Sequence, residues 1–163
     1  MKNLVYLAGP IGGLTWDEAT KWRDHASSLI NSFAVECLSP LRDMNGVSLR
    51  DSCFVTDGGK IGNEPQDPSK DVIPFENLFD RDYQDVVDSN FILFNFLGAK
   101  KQSVGTVCEL AWAWHMRKPY VVVIEPDNIN HNPFLKKQMR ETVPTLQEGI
   151  NAVRRYFSVP EYL

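Results

Sequence analysis

Four short apolar runs have the length and composition of buried β-strands, and each is closed by a turn or by polar residues. They cover Leu4–Ala8, Phe33–Leu38, Phe91–Phe96 and Tyr120–Ile124. The first run ends at Gly9-Pro10 and the second at Ser39-Pro40, which is typical of strands that open into loops.

Between the apolar runs, hydrophobic residues recur at helical spacing. The first such pattern follows Thr15–Glu18, a capping box with Thr at the N-cap and Glu at N3, and extends to about Asn31. A second capping box, Thr145–Glu148, begins the last helix. The other predicted helices cover Phe75–Asp88, Val104–Arg117 and Phe134–Glu141, and the last extends to about Phe157.

Strands that alternate with helices predict an α/β fold with a parallel sheet and helices on both faces. We expect a single flavodoxin/Rossmann-like domain over residues 1–163, with strand order 2-1-3-4 and possibly a fifth strand. In such sheets ligands bind beyond the carboxyl ends of the strands. The segment 41–74 shows no sustained period and contains several Gly, Pro and Asp residues. It is predicted to be a loop-rich insertion over the site, acting as a lid or rim.

Composition narrows the class of partner. The net charge is −4 and no Lys/Arg run resembles a track for a phosphate backbone, so we expect a small molecule rather than long nucleic acid. Three cysteines without CxxC spacing argue against a disulfide framework and against zinc. The chain has no stretch apolar enough for a signal peptide or a membrane span, so a cytoplasmic location is expected.

The strongest candidate for chemistry is Glu109, in the segment Ser103–Glu109. A helix predicted to start near Gly105 would offer free N–H groups and the positive end of its dipole to an anion. Glu109 lies about one turn inside, where the dipole should help to keep it ionised, as a nucleophile requires. The alternative is an ordinary surface glutamate.

Three further sets of residues are candidates, each with a plain structural alternative. Tyr6 before the Gly9-Pro10 turn suits a sugar or base platform, or is simply part of a strand. Arg42, after a strand end, could hold a phosphate or carboxylate, or lie on the surface. The acidic set Asp80, Asp82, Asp85 and Asp88 precedes the third strand and could also be a solvated helix face.

Several common site types lack their sequence signatures. The three histidines have no metal-ligand spacing, and neither a Walker A motif nor GxGxxG is present. We therefore predict neither a metal nor a cofactor.

Taken in order, the motifs resemble the nucleoside 2-deoxyribosyltransferase family, which includes related nucleoside 5′-monophosphate N-glycosidases. The matching segments are Tyr6–Pro10, Ser39–Arg42, Asp82–Asp88 with Phe91–Asn95, Gly105–Ala113, Lys118-Pro119 and Asn130–Phe134. The resemblance covers nearly the whole chain except segment 41–74.

The resemblance implies a role for each matching residue. Glu109 would attack the anomeric carbon of the sugar to form a covalent glycosyl-enzyme, and Asp82 would contact and protonate the base. The loop with Gly9, Pro10, Ile11 and Gly12 would wall the sugar. The other substrate-binding residues would be Tyr6, Arg42, Asp88, Ser103, Gly105 and Asn130. The family also forms dimers or hexamers with shared active sites, so we expect a homo-oligomer.

One departure from the family pattern bears on the substrate. Transferases that act on free nucleosides carry Asp six residues before the nucleophile, where this chain has Ser103. Serine at this position resembles the relatives that hydrolyse 5′-monophosphates, because a hydroxyl at a helix N-terminus binds phosphate whereas a carboxylate repels it. Cytokinin-activating phosphoribohydrolases also share GTxxE, but they usually have a PGG run that this chain lacks.

Other functions stay open at this point. A non-catalytic nucleotide-binding or sensing domain would fit the same fold, and so would an enzyme that cleaves NAD with a helix-borne glutamate.

Overall fold

The computed structural model describes residues 2–12, 14, 16–32, 34–42 and 75–158, with only the backbone at positions 16 and 75–78. Five strands and five helices occur in these residues. The strands are β1 (Asn3–Ala8), β2 (Val35–Leu38), β3 (Phe91–Asn95), β4 (Tyr120–Val123) and β5 (Thr142–Val143). The helices are α1 (Trp16–Ile30), α2 (Phe75–Asp88), α3 (Val104–His115), α4 (Pro133–Gln138) and α5 (Leu146–Ser158).

The strands form one parallel sheet in the order β2-β1-β3-β4-β5. This confirms the predicted α/β class and strand order, including the possible fifth strand. Register is set by central pairs such as Tyr6 with Ile92 and Leu93 with Val121. The carboxyl ends of β1, β3 and β4 therefore lie side by side at one edge of the sheet.

Helices cover both faces of the sheet, as predicted. Successive residues of β1 point to opposite faces, so Tyr6 and Ala8 pack with α2, α3 and α4, whereas Val5 and Leu7 pack with α1 and α5. Helix α5 lies against the sheet at Gly149, where a Cβ atom would come within 2.4 Å of a Val123 methyl. Burial of two apolar layers accounts for the stability of the arrangement.

The helix boundaries agree with the sequence pattern to within a few residues. Thr145 caps α5, because its hydroxyl accepts the N–H of Glu148 at 3.2 Å and contacts the Glu148 carboxylate at 2.6 Å. The other predicted capping box involves Thr15, which lies outside the described residues. So do Gly13, Phe33 and all of segment 41–74 except Leu41 and Arg42.

No helix in the described part of the chain combines the length and the apolar character that a membrane crossing requires.

Candidate active site

A direct hydrogen bond joins two of the predicted site residues across the fold. Tyr6 on β1 and Glu109 on α3 both face the layer between the sheet and α2–α4, and the Tyr6 hydroxyl donates to Glu109 Oε1 at 2.7 Å. Tyr6 is fully buried and Glu109 is 7% exposed. This hydrogen bond from a residue of the central strand β1 fixes the orientation of the Glu109 carboxyl group.

Asp82 on α2 is the second carboxyl group of the site. It is close enough to Glu109 for the two to repel each other when both are ionised. Its Oδ1 atom is shielded from solvent and has no hydrogen-bond partner among the described residues, and the nearest cation, Arg81 Nε, is 3.9 Å away. A buried acceptor without a donor is unusual, and it is suited to contact a polar ligand.

Burial dominates the protonation of both carboxyl groups. Burial, reinforced by repulsion from Asp82, raises the pKa of Glu109 to about 8, against the opposing effects of the Tyr6 hydrogen bond and of Arg23. Burial also raises the pKa of Asp82 to about 7, and the Arg81 guanidinium opposes this rise. Between the two pKa values, at about pH 7 to 8, the pair therefore holds about one proton in total.

The expectation that the helix dipole keeps Glu109 ionised is wrong. Glu109 is the sixth residue of α3, and the dipole acts mainly within the first turn. The desolvation of a nearly fully buried carboxyl group is the larger effect.

The turn after β2 is fastened to α2 by two arginines. Arg42 forms a two-point ion pair with Asp85, in which Nη2 lies 2.8 Å from Oδ1 and Nη1 contacts Oδ2. Arg81 donates to the Pro40 carbonyl. The guanidinium of Arg42 thus already binds a carboxylate, but one of its own chain. In this structure Arg42 positions the turn and α2 beside the site.

The loop after β1 packs tightly against the end of β3. A Cβ atom on Gly9 would lie 2.8 Å from the Asn95 carbonyl oxygen and 2.9 Å from the Trp22 ring, so only glycine fits there. Pro10, Ile11 and Gly12 follow at the carboxyl edge and are partly exposed. The loop therefore lies at the carboxyl edge of the sheet, and its contact with a sugar stays a prediction.

Ser103 is the N-cap of α3, which begins at Val104, the first residue of the predicted helix. The Ser103 hydroxyl accepts from the Thr106 N–H at 3.4 Å and from the Thr106 hydroxyl at 3.0 Å. Gly105 in the first turn is exposed, and among the described residues outside its own turn no atom lies within 4 Å of the position that its Cβ would take. The helix N-terminus is thus open, although the serine hydroxyl already has a structural partner.

Asp88, predicted to bind substrate, lies away from Glu109. Asp88 is exposed at the end of α2, where its carboxylate accepts from Gln84 at 2.9 Å. The chain then pairs with Leu4 through Asn90, which places Asp88 at the amino edge of the sheet, away from Glu109. Its predicted contact with substrate is not supported, because α2 carries it to the opposite edge.

Asn130 lies in the loop after β4, at the carboxyl edge, and it is fully buried. Its side-chain NH₂ donates to the Asn128 Oδ1 at 2.8 Å, and its own Oδ1 has no partner among the described residues. Asn128 in turn donates to the Phe96 carbonyl at 2.6 Å. These contacts join the loops after β3 and β4.

Sequence analysis missed Arg23, which lies near the Tyr6–Glu109 pair. The signal was present, because Ala19, Arg23, Ala26 and Ile30 share one helix face and all four are buried. A cation in the middle of an apolar stripe is uncommon unless its hydrogen bonds are satisfied.

The described residues contain no group of three or more His, Cys, Asp or Glu side chains placed to hold a metal ion.

Comparison with known proteins identifies the fold. No protein-family model and no curated protein sequence matches the chain. A conserved protein from Enterococcus faecalis V583 superposes with a TM-score of 0.64 at 10% identity, covering 96% of this chain and 99% of the other. The CMP N-glycosidase BcmB from Clostridium botulinum superposes with a TM-score of 0.55 at 12% identity, covering 94% and 99%.

A looser match is the 2-desoxiribosyltransferase from Leishmania mexicana, with a TM-score of 0.47, 13% identity and coverage of 74% of this chain and 63% of the other. At such low identities the likeness concerns the fold. The sequence motifs resemble a family that includes nucleotide N-glycosidases, and the fold agrees with that resemblance. The chain shares the fold of the CMP N-glycosidase over nearly the whole length of both proteins.

Proposed function

We propose that this protein cleaves the N-glycosidic bond of a (deoxy)nucleoside or its 5′-monophosphate, with Glu109 as nucleophile and Asp82 as proton donor. The observation that carries the proposal is the pair of carboxyl groups, a buried Glu109 oriented by the Tyr6 hydroxyl at 2.7 Å and a partly buried Asp82. The shared fold with a CMP N-glycosidase supports the same reaction class.

In the first step a Glu109 carboxylate oxygen bonds to the anomeric carbon while the bond from that carbon to the base nitrogen breaks. The base leaves with the bonding electrons and takes a proton from Asp82, whose pKa of about 7 lets it hold that proton near neutral pH. In the second step water, or a second base, attacks the same carbon and releases Glu109, and Asp82 recovers the proton of the attacking group.

The productive form has its single proton on Asp82 and an ionised Glu109. The Tyr6 hydrogen bond shifts the pair toward this form, because it stabilises the Glu109 carboxylate more than the neutral acid. The pKa of Glu109 still exceeds that of Asp82, so in the free protein this is the minor singly protonated form. Two neighbouring carboxyl groups that share one proton can act as a nucleophile and an acid, because their different surroundings give them different protonation states.

The direct test is product analysis by HPLC on nucleosides, 5′-monophosphates and NAD, with and without an added acceptor base. Glu109→Gln should lose activity by at least about 10³-fold, and Asp82→Asn by about 10²- to 10⁴-fold. Asp88→Asn is the matched control, because it makes the same change on the same helix at the opposite edge of the sheet. If wild type releases no base from any substrate, the proposal is wrong.

The covalent intermediate has its own test. A 2′-fluoro nucleoside or nucleotide slows the second step, so the adduct should accumulate. Mass spectrometry of the digested protein should find the sugar on the peptide that contains Glu109. Turnover without any adduct, together with an inverted product configuration, would instead indicate direct attack by water.

Ser103 decides between the two substrate classes in this proposal. If its hydroxyl and the open N-terminus of α3 bind a phosphate, 5′-monophosphates should exceed free nucleosides in kcat/KM by about tenfold or more. Ser103→Asp keeps a good N-cap, so it should reverse the preference without unfolding α3. Equal rates on both classes for wild type would contradict this assignment.

A second candidate function is a nucleotide-binding domain without turnover. It is favoured by one observation, the pKa of about 8 for Glu109, because a neutral carboxyl group donates a hydrogen bond but does not attack a sugar. Calorimetry separates the two: tight nucleotide binding without base release, unchanged in Glu109→Gln, supports binding alone.

A further inference from the structure

Arg23 on α1 is the largest fully buried side chain in the described part of the protein, with 1% of its surface exposed. With the residues that the structure describes, its guanidinium makes three hydrogen bonds, all to backbone carbonyls. Nε donates to Leu7 at 3.1 Å, Nη2 donates to Gly9 at 2.8 Å, and Nη1 donates to Ala19. The burial of a cation is costly, so this arrangement needs a reason beyond packing.

Two of the three carbonyls belong to the end of β1 and the start of the loop that borders the site. Leu7 and Gly9 lie on either side of Ala8, and the planar fork of the guanidinium spans them with two separate nitrogens. The guanidinium also lies over the Trp22 ring, 4.4 Å from its centroid. A lysine could reach one carbonyl but could not reproduce this two-point contact.

The charge of Arg23 is not neutralised by a contact ion pair within the described residues. The ionisable groups that act on it are Tyr6, Glu109, Asp82 and Asp24. Glu109 in turn is acted on by Asp82, Tyr6, Arg23 and Asp85. Arg23 lowers the pKa of Glu109. Burial lowers the pKa of Arg23 itself to about 10, so the guanidinium stays charged at neutral pH.

We infer that Arg23 is a positioning residue for the reaction: it fixes the loop after β1 and supplies the buried positive charge that stabilises the Glu109 carboxylate. This inference rests on the proposed function. The guanidinium makes its described contacts with the backbone at the edge of the site, so its effect on the chemistry is exerted through Glu109 and the loop.

Two variants separate the charge from the geometry. Arg23→Gln removes the charge and keeps hydrogen-bond donors. Arg23→Lys keeps the charge and loses the fork. The matched control is Lys118→Met, because Lys118 also donates to two backbone carbonyls, those of Val87 and Ser89, but at the amino edge of the sheet.

The readouts are steady-state kinetics from pH 5.5 to 9.5 and the ¹³C NMR titration of the Glu109 carboxyl carbon, assigned by its loss in Glu109→Gln. In Arg23→Gln the NMR midpoint should rise by about one pH unit and kcat/KM at pH 7 should fall by about tenfold, because the carboxylate has lost a nearby cation. In Arg23→Lys the midpoint should stay near that of wild type while KM rises severalfold. Lys118→Met should lower only stability.

A folded Arg23→Gln protein with an unchanged Glu109 midpoint overturns the inference, as does the same rise in Lys118→Met. If Arg23→Gln does not fold, Arg23→Lys decides: a raised KM with an unchanged midpoint supports the inference, and unchanged KM overturns it. If Arg23→Gln leaves the Glu109 midpoint unchanged and wild type releases base, the role of Arg23 is refuted and the proposed function stands. The reverse result, a raised midpoint in a protein that releases no base, supports the effect of Arg23 on Glu109 and refutes the proposed function alone.

Discussion

Replacement of Glu109 by glutamine should remove activity and yet make the protein more stable at alkaline pH. Glutamine has the same shape, and its side-chain oxygen can still accept the Tyr6 hydroxyl. The pKa of Glu109 rises from an ordinary 4.5 to about 8 in the folded protein. At 1.36 kcal/mol per unit, this difference of about 3.5 units amounts to about 5 kcal/mol.

The direction follows from the proton balance. The folded protein binds this proton more tightly than the unfolded chain, so the associated stability is fully present below pH 4.5 and is lost as the pH rises through 8. Glutamine carries no such proton and loses nothing. Asp82 titrates in the same range, and its pKa falls when residue 109 carries no charge. We therefore expect Glu109→Gln to be more stable than wild type by about 2–5 kcal/mol at pH 9.

Urea unfolding followed by tryptophan fluorescence at pH 5, 7 and 9 measures this advantage. The two proteins should be nearly equal in stability at pH 5 and diverge steadily above it. Glu148→Gln is the matched control, because it makes the same change at an exposed position and should run parallel to wild type over this range. Parallel curves for Glu109→Gln and wild type from pH 5 to pH 9 would refute the buried, proton-binding carboxyl group on which the site argument depends.

Three further predictions concern the same site. The rate of base release should follow a bell-shaped pH profile with its maximum between about pH 7 and 8, since the Glu109–Asp82 pair must hold one proton; a profile that is flat from pH 6 to 9 contradicts this. Tyr6→Phe should lower kcat/KM at pH 7 by roughly 10- to 100-fold, measured by steady-state kinetics, because a hydrogen bond to a charged group is worth about 1.5–3 kcal/mol; an unchanged rate removes Tyr6 from the mechanism. Gly9→Ala should destabilise the protein by about 1–3 kcal/mol in urea unfolding, because its Cβ would meet the Asn95 carbonyl at 2.8 Å, whereas Gly105→Ala, with open space around it, should not destabilise.

Periodicity predicted the architecture well, because each long element carries its own pattern. The predicted span of α2 coincides with the observed Phe75–Asp88, and the ends of the other long elements agree to within a few residues. Strand β5 is different. It has only two residues, Thr142 and Val143, which is too short to show a period, so it was expected only as a possibility.

The site was predictable in outline and not in its electrostatics. Alternating strands and helices place the loops after β1, β2 and β3 at one edge, which is why Tyr6 and Glu109, 103 residues apart in sequence, were predicted to lie in one site. The depth at which Glu109 lies is a tertiary property, and a local dipole argument gave the wrong sign for its pKa. Asp82 lies near Glu109 and Asp88 lies at the opposite edge of the sheet. This difference depends on how α2 packs across the sheet, which the local sequence does not specify.

The charges around the two carboxyl groups bear on which of them holds the proton. Arg42 is paired with Asp85, Arg81 Nε lies 3.9 Å from Asp82 Oδ1, and Arg23 lowers the pKa of Glu109. These cations oppose the effect of burial at both groups, and Glu109 keeps the higher pKa, about 8 against about 7 for Asp82. When the free protein holds one proton on the pair, that proton therefore lies mainly on Glu109. The proposed first step needs it on Asp82, so the proton must move from Glu109 to Asp82 before Glu109 attacks the sugar.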